Sequence, residues 1–332
     1  MKVGILTFHD GPNHGAFLQA WATFRTLADA GHDVEVINYK NARHHQMDGG
    51  GGLRVWKNPP AALRACLKRG AFRKAHRHFN LGPFVTDPEV LRQRHFDAVV
   101  VGSDVVWNYK LFGYDPVFFG RVNADRRIAF SASFGTVVPD DAHPVEMADD
   151  LRAFDAIAVR DRNSQEIVRR ATGREAEITL DPALIYDYRA EAAAPMGGDA
   201  AGDLVFYSFL KRNAVMRAAA DYAIEHGLKI VFLGYPPSAK APGRLSRVRM
   251  TCGPFEWVER FARAHTIFTS TFHGVVFSLK SRKPFFFVSS DKTHNRVSSL
   301  LDFCGIAHDL KLGEPSKICF FEPDYAEVTP KL

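Results

Sequence analysis

Residues 3 to 31, VGILTF-HDGPNHG-AFLQAWATFRTLADA-G, decide the fold. Val3 to Phe8 is short, apolar and β-prone, the signature of a strand buried on both faces. A polar Gly/Pro/Asn loop, His9 to Gly15, interrupts it. Apolar residues then return at helical spacing from Ala16 to Ala30, until Gly31 stops them. Val34 to Asn38 reads as the next strand. Two strands joined through a helix pair in parallel, so the first forty or so residues make one βαβ unit of a doubly wound sheet.

Outward from this unit the pattern recurs. Phe96 to Val101 is a buried-type strand ending in Gly102-Ser103-Asp104; Ile128 to Ser133 ends at Phe134-Gly135; Ala156 to Val159 ends at Arg160. Beyond Asp181-Pro182, a stretch with Pro195, Gly197, Gly198, Ala200, Ala201 and Gly202 reads as a linker. A second alternation follows: strand Leu204 to Ser208, helix Ala214 to His226 closed by Gly227, strand Lys229 to Leu233, and a loop at Pro236-Pro237. Strand Thr266 to Thr269, helix Phe272 to Ser281 and strand Pro284 to Val288 complete it. The expectation is an α/β protein of two Rossmann-like domains facing across a cleft. Residues 1–185 form the first, with a basic insertion near 43–86, and residues 203–332 the second. Ligands should collect at strand carboxyl ends.

A length of 332 residues suits two domains, and 46% hydrophobic residues exclude a disordered chain. No apolar run approaches the roughly 18 residues that cross a bilayer. No signal-peptide profile follows Met1, which points to a cytoplasmic protein. Cys66, Cys252, Cys304 and Cys319 lack any C-x-x-C or metal-ligand spacing and read as reduced thiols, so no metal is expected. The first strand is not followed by G-x-G-x-x-G, which disfavours NAD. His44-His45 and His76-x-His78 read as solvated histidines, and Gly49 to Gly52 as a flexible loop.

Six runs occur in order along the chain. They are Asn13-His14-Gly15-Ala16-Phe17-Leu18-Gln19-Ala20, Val101-Gly102-Ser103-Asp104 with Val106-Trp107-Asn108, Ala129 to Gly135, Val159-Arg160-Asp161, Leu180-Asp181-Pro182, and Phe272-His273-Gly274-Val275-Val276-Phe277-Ser278. Together they resemble the polysaccharide pyruvyltransferase family. The resemblance implies a GT-B-like fold and transfer of the enolpyruvyl group of phosphoenolpyruvate onto two hydroxyls of a sugar, giving a cyclic ketal. It implies no cofactor; phosphoenolpyruvate is the donor substrate. Where family members commonly carry Gln in the Gly-Ser-Asp run and Asp before Ser-Phe-His-Gly, this chain has Val105 and Ser270.

Such chemistry needs an acid/base group and a clamp for two anionic moieties. His273 is the first candidate. It follows Ser270 and Thr271, both suited to cap a helix, and so lies in a first helical turn, where neutral imidazole is favoured as a base. Asp104, just beyond an apolar strand, is either a second acid/base or hydroxyl orienter, or a helix cap. Trp107 is either a sugar-stacking platform or a core aromatic. Arg160 offers a planar fork to a carboxylate or phosphate, or else pairs with a neighbouring acid. Asn13 and Gly15 open the first helix, where a glycine lets backbone N–H groups approach an anion, or where Asn merely caps. Further substrate contacts are assigned to Gly102, Ser103, Ser270, Thr271, Gly274, and to Lys292, Asn295 and Arg296 after the last long strand. A GT-B glycosyltransferase using a nucleotide sugar, and a non-catalytic anion or glycan binder, are the alternative readings.

The formal net charge of +6 is local. No Asp or Glu occurs from Gly49 to Thr86, while Arg54, Lys57, Arg64, Lys68, Arg69, Arg73, Lys74 and Arg77 all do; without those eight the chain carries 35 basic and 37 acidic residues. This segment reads either as a solvated basic helix or as a contact for an anionic membrane surface or a lipid-linked acceptor, which would put the protein peripherally at the inner membrane face. No nucleic-acid motif accompanies it, so nucleic acid is not an expected partner.

Overall fold

The computed structural model describes residues 1–49, 59–192, 202–210, 213–233, 246–249, 252–314 and 317–328. The expected linker around 195–201, most of the Gly49 to Gly52 loop, and the Pro236-Pro237 loop lie outside the described residues. The chain divides into two compact units: Met1–Ala62 with Arg73–Tyr186, and Leu63–Phe72 with Asp187–Leu332.

In the first unit β1 (Lys2–Leu6) leads into α1 (His14–Asp29) and β2 (Asp33–Val36). Helices α2 (Ala42–Gly49), α3 (Pro59–His76), whose stretch Leu63–Phe72 belongs to the second unit, and α4 (Pro88–Arg92) precede β3 (Phe96–Val101). After it come α5 (Tyr109–Phe112), β4 (Ala124–Ala132), α6 (Met147–Arg152), β5 (Ala156–Val159), α7 (Arg162–Thr172), β6 (Glu177–Ile178) and α8 (Pro182–Ile185). The six strands are ordered β2-β1-β3-β4-β5-β6 and all pair in parallel. Strands such as β3, FDAVVV, carry apolar residues almost without alternation because both sheet faces are covered. Helix α1 is buried continuously from His14 to Phe24. Its Phe17, Trp21 and Phe24 interlock with Phe79, with Phe17 and Trp21 5.1 and 5.3 Å from that ring. Each large side chain so buried contributes about 1.5–3 kcal/mol.

The second unit repeats the plan with β7 (Leu204–Tyr207), α9 (Asn213–Glu225), β8 (Ile230–Leu233), β9 (Ser246–Arg249), α10 (Pro254–Ala262), β10 (Thr266–Thr269), α11 (Phe272–Lys280), β11 (Phe285–Val288), α12 (His294–Cys304), β12 (Ile318–Phe321) and α13 (Tyr325–Val328). The strand order is β12-β11-β10-β7-β8-β9, with only β12 antiparallel among the described strands. β12, ICFF, is not among the strands expected from the sequence; it lies at the sheet edge, and antiparallel pairing with β11 supplies its stability.

Each sheet reverses its direction of growth once, between β1 and β3 in the first unit and between β7 and β10 in the second. In open α/β sheets ligands bind outside the carboxyl ends of the strands at such a reversal. No described helix is long and apolar enough to cross a membrane.

Candidate functional site

At the first reversal, a buried polar network ties the strand ends together. Thr7, just past β1, donates its hydroxyl to the Ser103 carbonyl at 2.9 Å, and Gln19 of α1 donates to Thr7 Oγ1 at 2.9 Å and to the Phe8 carbonyl at 2.9 Å. Gly102, at φ 113°, makes the turn out of β3; a Cβ there would lie 2.4 Å from the Phe130 carbonyl oxygen, so only glycine fits. Asp104 has φ 72°, and Ser131 at the end of β4 has φ 52°. Two non-glycine residues in left-handed backbone on neighbouring strand ends cost of order 1–3 kcal/mol each, and such cost concentrates at functional sites.

Arg160, directly after β5, holds this corner. Its guanidinium donates to Asp181 Oδ2 at 2.7 Å and to Asp104 Oδ1 at 3.0 Å, while Ser103 Oγ donates to the same Asp181 oxygen at 2.9 Å. The side chains of Arg160, Asp104 and Asp181 are 1%, 10% and 0% exposed. Burial works against the arginine cation, but the charges of Asp104, Asp181 and Asp161 outweigh it and hold Arg160 more firmly protonated than usual. Asp161 faces away: it accepts from Ser133 Oγ at 2.6 Å and caps α7 through the Ser164 N–H at 2.7 Å.

The second unit builds its corner from hydroxyls. At the reversal, Ser208 past β7 donates to Ser270 Oγ past β10 at 2.8 Å, and Ser270 Oγ in turn accepts the Phe209 N–H at 3.1 Å. Thr271 caps α11 by accepting the Gly274 N–H at 2.9 Å. His273 therefore sits in the first turn of a largely apolar helix, 8% exposed, with its ring 5.3 Å from that of Phe272. A Cβ on Gly274 would lie 1.9 Å from Thr269 Oγ1, so the glycine lets α11 start close against β10. Arg296 of α12 places its guanidinium 5.6 Å from the Phe272 ring centre and donates to the Lys292 carbonyl at 2.7 Å. Lys292 is exposed and Asn295 half-buried beside it.

The expected residues thus fall into two groups. Gly102, Ser103, Asp104 and Arg160 share one corner; Ser270, Thr271, His273, Gly274, Asn295, Arg296 and Lys292 share or border the other. Three expectations change. Trp107 is fully buried, donates its indole N–H to the Phe118 carbonyl at 3.0 Å and stacks on Phe119 at 5.7 Å, so it is a core residue rather than a sugar platform. Arg160 spends its fork on the chain's own carboxylates rather than presenting it to an anion. Asn13 Oδ1 takes up the N–H groups of Gly15 and Ala16, at 3.1 and 3.4 Å, so these amides at the start of α1 already have an acceptor.

Other contributors are not visible in the sequence. Asp181 lies within the Leu180-Asp181-Pro182 run, but its pairing with Arg160 depends on a separation of 21 residues closed only by the sheet. His44 and His76 are not solvated. His44 is buried and stacks on Phe112 at 4.1 Å, and His76 Nε2 donates to the His9 carbonyl at 2.7 Å. His9 itself is 4% exposed. Burial lowers it to about 4, against the raising charge of Asp10 and with further lowering from His76, Lys40 and His44. Among the described residues, the one grouping of three metal-ligand side chains is His95, Asp97 and Asp125, with ligand atoms within 4.8 Å of one another. It lies at the starts of β3 and β4, the opposite end from the Arg160 network.

A family model described as polysaccharide pyruvyl transferase matches residues 13–292, a span that includes Asp104, Arg160 and Asp181 of the first corner and Ser270 to Gly274 of the second. No curated protein matches the chain by sequence. Among solved structures, the chain resembles an S. aureus MnaA-UDP co-structure, with 10% identity over 93% of this chain and 84% of that one, at TM-score 0.53. It also resembles UDP-GlcNAc 2-epimerase from Methanocaldococcus jannaschii (10% identity, 96% and 95% covered, TM-score 0.48) and E. coli heptosyltransferase WaaC with ADP-2-deoxy-2-fluoro heptose (14%, 86% and 87%, 0.42). The MnaA likeness, with the two Rossmann-like sheets, identifies the fold class as GT-B-like.

Proposed function

Because the chain belongs to the polysaccharide pyruvyl transferase family, we propose that it moves the enolpyruvyl group of phosphoenolpyruvate onto two hydroxyls of a sugar in a surface polysaccharide or its lipid-linked precursor. The family match through both strand-end corners carries this reading. A proton added to the methylene carbon of phosphoenolpyruvate turns it into a methyl group and leaves an oxocarbenium centre at the adjacent carbon. One sugar hydroxyl attacks that carbon and loses its proton. Phosphate then departs with the electron pair of its C–O bond, and the second hydroxyl attacks and loses its proton, closing the ketal. One proton is taken up and two are released, the extra one passing to the departing phosphate.

His273 suits the proton transfers, since a single imidazole can give the first proton and accept a later one. Asp104, whose charge Arg160 already compensates, suits a different role, in which its carboxylate accepts a hydrogen bond from the attacking hydroxyl and orients it. Arg160 and Asp181 then act as positioning residues, and Arg296 with Lys292 supplies cationic charge near the α11 start for the donor's anionic groups. Ser270, which accepts a hydrogen bond from the Ser208 hydroxyl, brings no charge to this corner.

The test is phosphate release from phosphoenolpyruvate with a panel of sugar acceptors. Activity should fall by about two to four orders of magnitude in His273→Ala. Retained turnover in that variant would remove His273 from the mechanism. Phosphoenolpyruvate should also raise the melting temperature and UDP- or GDP-sugars should not, because a ligand held only by the native state stabilises it. The reverse pattern would favour nucleotide-sugar transfer. Stabilisation by phosphoenolpyruvate without phosphate release from any acceptor would favour a binding protein.

A further inference from the structure

The basic segment acquires a direction once it is helical. Over α3, at about 100° per residue, Leu63, Cys66, Leu67, Gly70, Arg73 and Lys74 fall on one face, with Arg69 at its margin and Arg77 prolonging it just past the helix end. That face is in solvent. Leu63 and Leu67 are 61% and 51% exposed, and Cys66, Arg69, Arg73, Lys74 and Arg77 are exposed as well. Phe72 and Ala75, on the opposite side, are buried. The face is also polarised along its length: Leu63, Cys66 and Leu67 lie ahead of Arg73, Lys74 and Arg77, in a run of sequence from Gly49 to Thr86 that contains no Asp or Glu.

Two partners attract cations, but only one uses the leucines. Nucleic acid offers phosphates in water and gains nothing from exposed Leu63 and Leu67. An anionic bilayer offers phosphates in the headgroup layer and an apolar boundary a few ångströms deeper, where an amphipathic helix lies in the interface plane.

We propose that the outer face of α3 docks on an anionic membrane, with Leu63, Cys66 and Leu67 entering the boundary between headgroups and acyl chains and Arg69, Arg73, Lys74 and Arg77 on lipid phosphates. The inference does not depend on pyruvyl transfer, and its test needs no turnover. Lys68, half-buried off this face, takes no part.

Flotation with vesicles of phosphatidylglycerol and phosphatidylcholine should carry the protein upward, and pure phosphatidylcholine should not. Each cation near the surface strengthens binding about fivefold, so Arg69→Gln/Arg73→Gln/Lys74→Gln should weaken it about a hundredfold. Added salt should weaken it in the same direction. Leu63→Ser/Leu67→Ser tests insertion; both positions are exposed, so unchanged circular dichroism is expected alongside weaker flotation. Insertion also has its own spectroscopic signature. With Cys319→Ser, and Cys252 and Cys304 buried, an environment-sensitive fluorophore on Cys66 should shift to the blue when anionic vesicles are added. The proposal is overturned if the protein stays at the bottom of the gradient. It is equally overturned if flotation occurs without the blue shift, if the triple variant floats as well as the wild type, or if duplex DNA is retained while vesicles are not.

Discussion

Replacing Arg160 by Met tests the central electrostatic claim about the first corner. The methionine keeps much of the packing of the arginine stem but removes the charge that compensates Asp104 and Asp181. Asp181 is fully out of water and Asp104 nearly so, so their charges have nowhere to go. Breaking a buried ion pair from one side costs about 3–5 kcal/mol, because the desolvation already incurred is no longer offset. Neutralising the acids as well should recover most of that loss. Arg160→Met/Asp104→Asn/Asp181→Asn is expected to lie within about 1–2 kcal/mol of the parent, since Asn at 181 still caps α8 through the Ala183 N–H. Arg160→Lys should fall between, because an ammonium cannot serve two carboxylates in a planar fork. Equilibrium urea unfolding at neutral pH, followed by tryptophan fluorescence from buried Trp107 in the same unit, gives the free energies. A loss under about 1 kcal/mol for Arg160→Met, or simple additivity across the three substitutions, would refute the account.

Three further outcomes follow from the same structure. His9 is held near 4 in the fold against an ordinary 6.5, so the unfolded chain binds the extra proton in that window. Stability therefore rises with pH between about 4 and 6.5 and is lost by about 3 kcal/mol as acid is added; His9→Asn should flatten that slope in urea titrations at several pH values. Gly102→Ala should cost about 3 kcal/mol or more, since the new methyl group meets the Phe130 carbonyl and the backbone sits at φ 113°, and a neutral result by thermal unfolding would show the turn to be adaptable. Trp107→Phe should destabilise by about 2–3 kcal/mol through the lost contact volume and the Phe118 carbonyl left without its donor, whereas a change below about 0.5 kcal/mol would contradict its core assignment.

Much of the frame is legible from local pattern. The strands Phe96–Val101, Ala156–Val159 and Thr266–Thr269 appear where runs of apolar β-formers predict them, and the helices after β1 and β10 begin at the expected caps. The short β6, β9 and β12 are not legible in this way, because a few residues of edge strand are fixed by the neighbour they pair with. Elsewhere the differences share one cause. Local pattern leaves Trp107, His44 and His76 a choice of surroundings, because sequence spacing does not report which side of the sheet covers a side chain.

By itself the sequence determined that two α/β sheets form, that chemistry-bearing side chains gather at strand carboxyl ends, and that the excess of positive over negative charge comes from one segment. Periodicity and punctuation act within a few residues, so such features survive translation from sequence to structure. Only the tertiary structure decided how the charges are spent. Arg160 meets Asp104 across 56 residues and Asp181 across 21, and burial turns what reads as an anion clamp into the brace of a carboxylate. The same holds for α3: its composition announces a basic helix, but the packing of Phe72 and Ala75 inward is what leaves Leu63, Leu67 and the cations together on one exposed face.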